Sequence, residues 1–216
     1  VHPPLQPAVQ ASSVGPMLSP AQAAQNFAAV VARVEPVAEA ICQKRARGAP
    51  CDLQIVIDDR IDQPPNAYQT LDKFGQPIVA FTVALIADAR NADELAFVMG
   101  HEASHHIAGH IPRQQENGMR GALLAGILAS VSGADAATAQ QLQSIGATVS
   151  ARSYSKGYEL EADALGAEIA LRAGYDPVLG AGFFNRLPDP GDEFLGSHPP
   201  NAERQAQVRA VVAALR

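Results

Sequence analysis

The chain has 216 residues, 47% hydrophobic and only 5% aromatic, enough to bury one core and most simply a single domain. A formal net charge of -6, with no Gly-rich phosphate loop and no basic patch interleaved with aromatics, argues against nucleic acid as a partner. No segment approaches the ~20 apolar residues of a membrane-spanning helix, and no internal repeat is visible.

Residues 1–18 carry Pro3, Pro4, Pro7 and Pro16 without helical or strand periodicity, so they read as an extended Pro-rich leader ahead of one domain at 19–216. Val1 is preceded by neither methionine nor an apolar signal segment, so any signal or membrane tether is expected upstream of it. Ser19-Pro20-Ala21-Gln22 reads as an N-cap, a proline at the first helical position and a capping partner. The helix it opens is expected to run to about Arg47, to kink at Pro36 and to close at Gly48. Cys42 and Cys51 flank that end, where a disulfide would pin helix to strand in an oxidising compartment and two buried thiols would remain in a reducing one.

Leu53–Ile57 is the first expected strand. Pro77–Val83 is β-branched and aromatic and starts with proline, which fits either an edge strand offering Ile78, Val79, Ala80 and Phe81 to an extended substrate or an ordinary buried strand. Asn91 then serves as N-cap with Glu94 three residues on, and Leu95, Val98, Met99 and Ala103 recur at helical spacing.

Inside this helix lies His101-Glu102-Ala103-Ser104-His105. Residues four apart share a helix face, so His101 and His105 can offer two imidazoles to one metal ion while Glu102 sits about 100° away. A tetrahedral catalytic zinc needs a third protein ligand and an open position for water. Glu159 is the candidate, on a second helix from Tyr158 to Gly174 that also carries Asp163 one turn on and on the same face. Asp163 is placed to accept the other ring N–H of a ligand, with His101 as the expected donor, whereas Glu161 should point away. His106 and His110 are expected to project away from the ligand face and to bond backbone or water near a helix end before Pro112.

Met119–Val131, rich in Ala, Gly and Leu, is expected to form a helix packed in the domain, the alternatives being a cleft cap, a face that docks a partner or a contact with a membrane surface. Asp135–Tyr154 continues as a further helix, and Tyr175-Asp176-Pro177 restarts one that reaches about Leu187. Ser197-His198-Pro199-Pro200 is a stiff extended segment before a final helix, Asn201–Leu215, with Val208, Val211, Val212 and Leu215 as its buried stripe.

Gly100-His101-Glu102-Ala103-Ser104-His105, then Tyr154 to Asp163, then Ala173-Gly174-Tyr175-Asp176-Pro177, then Ser197-His198-Pro199-Pro200 with Glu203-Arg204 resemble the CAAX prenyl protease and HtpX-like zinc metallopeptidases, block by block and in order. The resemblance implies a gluzincin: an α+β, mostly helical, zincin-like domain with a small sheet. It also implies a single zinc ion on His101, His105 and Glu159, and Glu102 as general base. A metzincin is excluded because that class needs a third histidine where Ile111 stands. The resemblance further implies that His198 approaches the zinc, stabilising the tetrahedral intermediate or occupying the open position in a latent form, with Tyr158 a weaker donor and Arg204 helping to hold that segment or an anion.

The likeness lies closest to exported members, which implies the Cys42–Cys51 bridge, a periplasmic location and misfolded or unassembled envelope proteins as polypeptide substrates. The chain departs from the pattern around its strands, with Asn66-Ala67-Tyr68, no Pro-Gly-Gly turn, Ala84-Leu85 at the strand end, and Ser155-Lys156 where Ser-Arg is usual. Two functions are therefore expected to compete: a zinc endopeptidase, and a latent or chaperone-like binding module whose zinc site His198 blocks.

Overall fold

The computed structural model describes residues 15–46, 48–187 and 199–216, with backbone alone for 148–155. Most of the expected leader and the segment holding His198 lie outside the described residues. The architecture is mostly helical with one small mixed sheet.

Helix α1 (Pro20–Arg45) opens on the capping box read from the sequence, Ser19 accepting from the Gln22 amide and the Gln22 side chain accepting from the Ser19 amide, and Pro36 lies within it. Its inner row of Phe27, Val30, Val34, Ala38 and Ile41 is buried. Cys42 and Cys51 form a disulfide with Cα atoms 5.6 Å apart, joining α1 to the start of the sheet. Strands β1 (Gln54–Asp58), β2 (Ala67–Leu71) and β3 (Pro77–Thr82) assemble in the order β1-β3-β2, with β1 parallel and β2 antiparallel to β3. The β2–β3 hairpin turns at Asp72, whose carboxylate accepts from the Phe74 and Gln76 amides at 2.7 and 2.9 Å, while Gly75 takes the left-handed φ of 82°.

β3 is thus the central strand, which corrects one of the two readings of Ile78, Val79, Ala80 and Phe81. Val79 pairs with Ile55 on one side and Gln69 on the other, and Phe81 with Ile57 and Ala67. Hydrogen bonds to both neighbours leave β3 no free edge for a substrate, and Val79, Ala80 and Phe81 are buried in the core. A β-branched run describes a central strand as well as an edge, and only its partners distinguish the two.

Thr82 caps the short helix α2 (Val83–Asp88), and Asn91 caps α3 (Ala92–Ile107), its side chain accepting from the Glu94 amide at 2.9 Å. Leu95, Ala96, Phe97, Met99 and Ala103 are all buried, so α3 is enclosed on several sides. Gly109, with φ of 65°, separates it from α4 (His110–Val131), and α5 (Ala136–Arg172) returns antiparallel to α4 as one long helix capped by Asp135. Asp176 then caps α6 (Pro177–Gly180), which passes into a 3-10 turn at Ala181–Arg186, and α7 (Asn201–Leu215) closes the domain. Val208 and Val212 are buried as expected, Val211 is half-buried, and Leu215 is exposed because it lies at the fraying end.

The α4–α5 hairpin is patterned inside out. Its seam is made of small residues, a side chain at Gly146 having to lie 2.5 Å from the Gly121 carbonyl oxygen. Leu123, Leu124, Leu128 and Val131 face outward, so the segment is helical as expected but its apolar row is not packed in the domain. No helix among the described residues is long and apolar enough to cross a membrane.

Candidate metal centre

α3 and α5 meet backbone to backbone at Gly100 and Gly166. A side chain at Gly166 would sit 2.7 Å from the His101 amide nitrogen, and one at Gly100 would sit 2.7 Å from the Gly166 carbonyl. Only glycine admits this approach, and it brings Asp163 and Glu159, one and two turns earlier on α5, up to the histidines of α3.

His101 Nε2 and His105 Nε2 lie 3.1 Å apart, and the Glu159 carboxylate completes the triangle at 3.6 Å from the first and 3.4 Å from the second. Metal bonds of ~2.0–2.1 Å at tetrahedral angles give ligand–ligand edges of ~3.3 Å, and the two imidazole nitrogens and the carboxylate, whose Oε2 faces His101 and Oε1 faces His105, are spaced close to that. Among the described residues, His101, His105 and Glu159 are the group able to hold a metal ion.

Asp163 is fully buried and its Oδ1 lies 2.9 Å from His101 Nδ1. The ring therefore donates there, and its Nε2 lone pair is turned into the triangle. Burial opposes ionisation of Asp163, yet hydrogen bonds from His101 and Arg204 hold its carboxyl below the usual range. Arg204 on α7 makes a two-pronged contact with Asp163, both at 2.7 Å, and reaches Glu159 at 3.4 Å while stacking on Phe184. Arg204 thus braces the ligand set, a more central position than the sequence suggested.

Burial works against protonation of His101, while the neighbouring Asp163 and Glu159 carboxylates raise its pKa. Burial and the neighbouring His101 push the His105 pKa down to about 3, which leaves that ring a neutral donor of a lone pair. The Glu102 carboxyl is pushed up to about 7 by burial, against the pull of His101. It faces a cleft of about 390 Å³ whose rim includes Ala67, Tyr68 and Gln69 of β2.

His106 bonds the Pro50 carbonyl at 2.6 Å, the backbone contact expected of it. His110 corrects the sequence reading: it does not project away but bonds His105, Nδ1 to Nδ1, at 2.8 Å. Glu161 points away from the triangle as expected, yet its carboxylate meets His110 Nε2 at 3.1 Å and Arg113 at 2.8 Å. The Tyr158 hydroxyl is engaged by Asn117 at 2.6 Å, and its ring stacks on His110. His198 lies outside the described residues.

This geometry accords with the comparisons. Over 149 residues the chain is 30% identical to the β-barrel assembly-enhancing protease of Yersinia pestis and 31% identical to that of Escherichia coli (strain K12). Each alignment covers 63% of this chain but 30% of the relative, so the chain spans about a third of the length of the proteins it matches. The sequence profile of peptidase family M48 matches residues 24–212. With that match running from α1 to α7 and enclosing the His101, His105 and Glu159 triangle, the chain belongs to peptidase family M48.

Proposed function

We propose that the chain is an endopeptidase that holds one zinc ion on His101, His105 and Glu159 and hydrolyses internal peptide bonds with Glu102 as general base. The observation that carries this is the triangle of two imidazole nitrogens and one carboxylate at tetrahedral edge lengths beside a buried carboxyl. When bound, the zinc supplies Lewis acidity that polarises a carbonyl and lowers the pKa of water. Glu102, poised near neutrality, takes a proton from the attacking water and returns it to the departing amine. Asp163, clamped by Arg204, holds the His101 ring in its tautomer throughout.

An extended substrate is proposed to lie along the outer edge of β2, where Ala67–Gln69 line the cleft and one side of the strand is not paired to β3. The names of the relatives and the Cys42–Cys51 bridge support an exported, periplasmic enzyme acting on unassembled envelope polypeptides. His198 is proposed to stabilise the oxyanion or to hold the site latent, and the same assay decides between the two.

The test is degradation of unfolded casein by the wild type and by His198→Ala, each with zinc and with a chelator. Chelator-sensitive cleavage by the wild type, weakened in His198→Ala, supports an active peptidase with His198 in catalysis. Cleavage that appears only in His198→Ala indicates latency. Zinc-loaded protein that cleaves in neither form contradicts the endopeptidase reading.

A further inference from the structure

We propose that His110 is a positioning residue for the metal centre, taking the Nδ1–H of His105 and passing the contact on to Glu161. The inference rests on the metal-binding reading of the triangle. It concerns how the second imidazole is held from behind, where His105 Nδ1 meets His110 and no carboxylate in the bonds described.

The proton assignment follows from the chain of contacts. His105 Nδ1 and His110 Nδ1 are 2.8 Å apart, so the pair shares one hydrogen. His105 turns Nε2 towards His101 Nε2 and Glu159, and a ring that gives a lone pair there must, when neutral, carry its hydrogen on Nδ1. His110 then accepts on Nδ1 and carries its own hydrogen on Nε2, 3.1 Å from the acceptor oxygen of Glu161. The opposite assignment fails at both ends. It would aim an N–H of His105 into the triangle, and it would set a bare His110 nitrogen against a carboxylate oxygen.

The string ends on a cation, Arg113 bonding the same Glu161 oxygen at 2.8 Å. His101 is held by Asp163 and Arg204; His105 is held through His110 by Glu161 and Arg113, so each imidazole is backed by a carboxylate and a guanidinium. The His110 ring has little freedom to leave. It is 4% exposed, stacks on Tyr158 with centroids 4.6 Å apart, and Tyr158 in turn lies under Arg113 and is bonded by Asn117. The left-handed turn at Gly109 folds the start of α4 back over α3 and makes the contact possible.

The experiment measures zinc affinity of the full chain by competition with a chromogenic chelator, for the wild type, His110→Phe, His110→Asn and Glu161→Gln. His110→Phe keeps a flat ring on Tyr158 without the acceptor and is expected to lose about 10–100-fold in affinity. His110→Asn restores an acceptor oxygen and is expected to recover most of that loss, a pattern that a packing role alone does not give. Nitrogen-15 spectra of histidine-labelled, zinc-loaded wild type are expected to show His110 protonated at Nε2 and bare at Nδ1. His110→Phe binding zinc as tightly as the wild type, or the opposite tautomer at His110, would overturn the inference and leave the metal triangle standing. Should His110→Phe fail to fold, the His110→Asn affinity and the wild-type spectrum still decide. A wild type that takes up no zinc at all would overturn both readings together.

Discussion

Glu102→Gln is expected to bind zinc as the wild type does and to cleave unfolded protein at least about 10²-fold more slowly, the usual contribution of a general base. The amide fills the same space in the cleft, and residue 102 is not one of the three ligands, so the His101, His105 and Glu159 triangle is undisturbed. What it lacks is a site that takes a proton near neutral pH. The carboxyl of Glu102 has that property because burial pushes its pKa to about 7, with His101 pulling the other way. The check pairs a degradation assay with elemental zinc analysis on the same preparation. Normal cleavage by a zinc-replete variant would remove Glu102 from the base role.

Arg204→Met is expected to destabilise the fold by about 3–5 kcal/mol, the range for breaking a buried ion pair from one side. Asp163 has no exposure and Arg204 only 5%, and the two are joined by a pair of 2.7 Å bonds. Removing the guanidinium leaves an ionised carboxylate in the core, with the His101 ring as its remaining donor among the bonds described. Adding Asp163→Asn to Arg204→Met should recover part of the loss, since the stranded charge disappears with its partner. Denaturant unfolding of the metal-free single and double variants measures this directly. A loss below about 1 kcal/mol for Arg204→Met would place the pair among weak surface-like contacts and contradict its bracing role.

The parts of the molecule that local chemistry determines were legible in the letters. Ser19 and Asn91 cap helices because their short polar side chains reach amides three residues on, and that depends on nothing distant. His101, Glu102 and His105 follow from helix geometry alone, and Glu159 with Asp163 from the same four-residue period on a second helix. What was not legible depends on partners far along the chain. Whether β3 is central or peripheral is decided by β1 and β2, so its composition fits both outcomes.

His110 was misplaced because a helix wheel carried through Gly109 puts it on the wrong face. Gly109 followed by a proline three residues later is the signal that the period breaks there. Arg204 sits 41 residues from Asp163, and no periodicity links an arginine on the last helix to a carboxylate on α5. The outward row on α4 reads as a buried stripe in sequence because the seam opposite is built from glycine and alanine, which contribute little apolar signal of their own.

Zinc content per chain, measured by elemental analysis on folded wild type and on Glu159→Gln side by side, tests the centre of this account most directly. One equivalent bound by the wild type and at least about tenfold weaker binding by Glu159→Gln is the predicted result. Folded wild type that stays free of zinc under excess supply, or a Glu159→Gln variant that holds it unchanged, would contradict it.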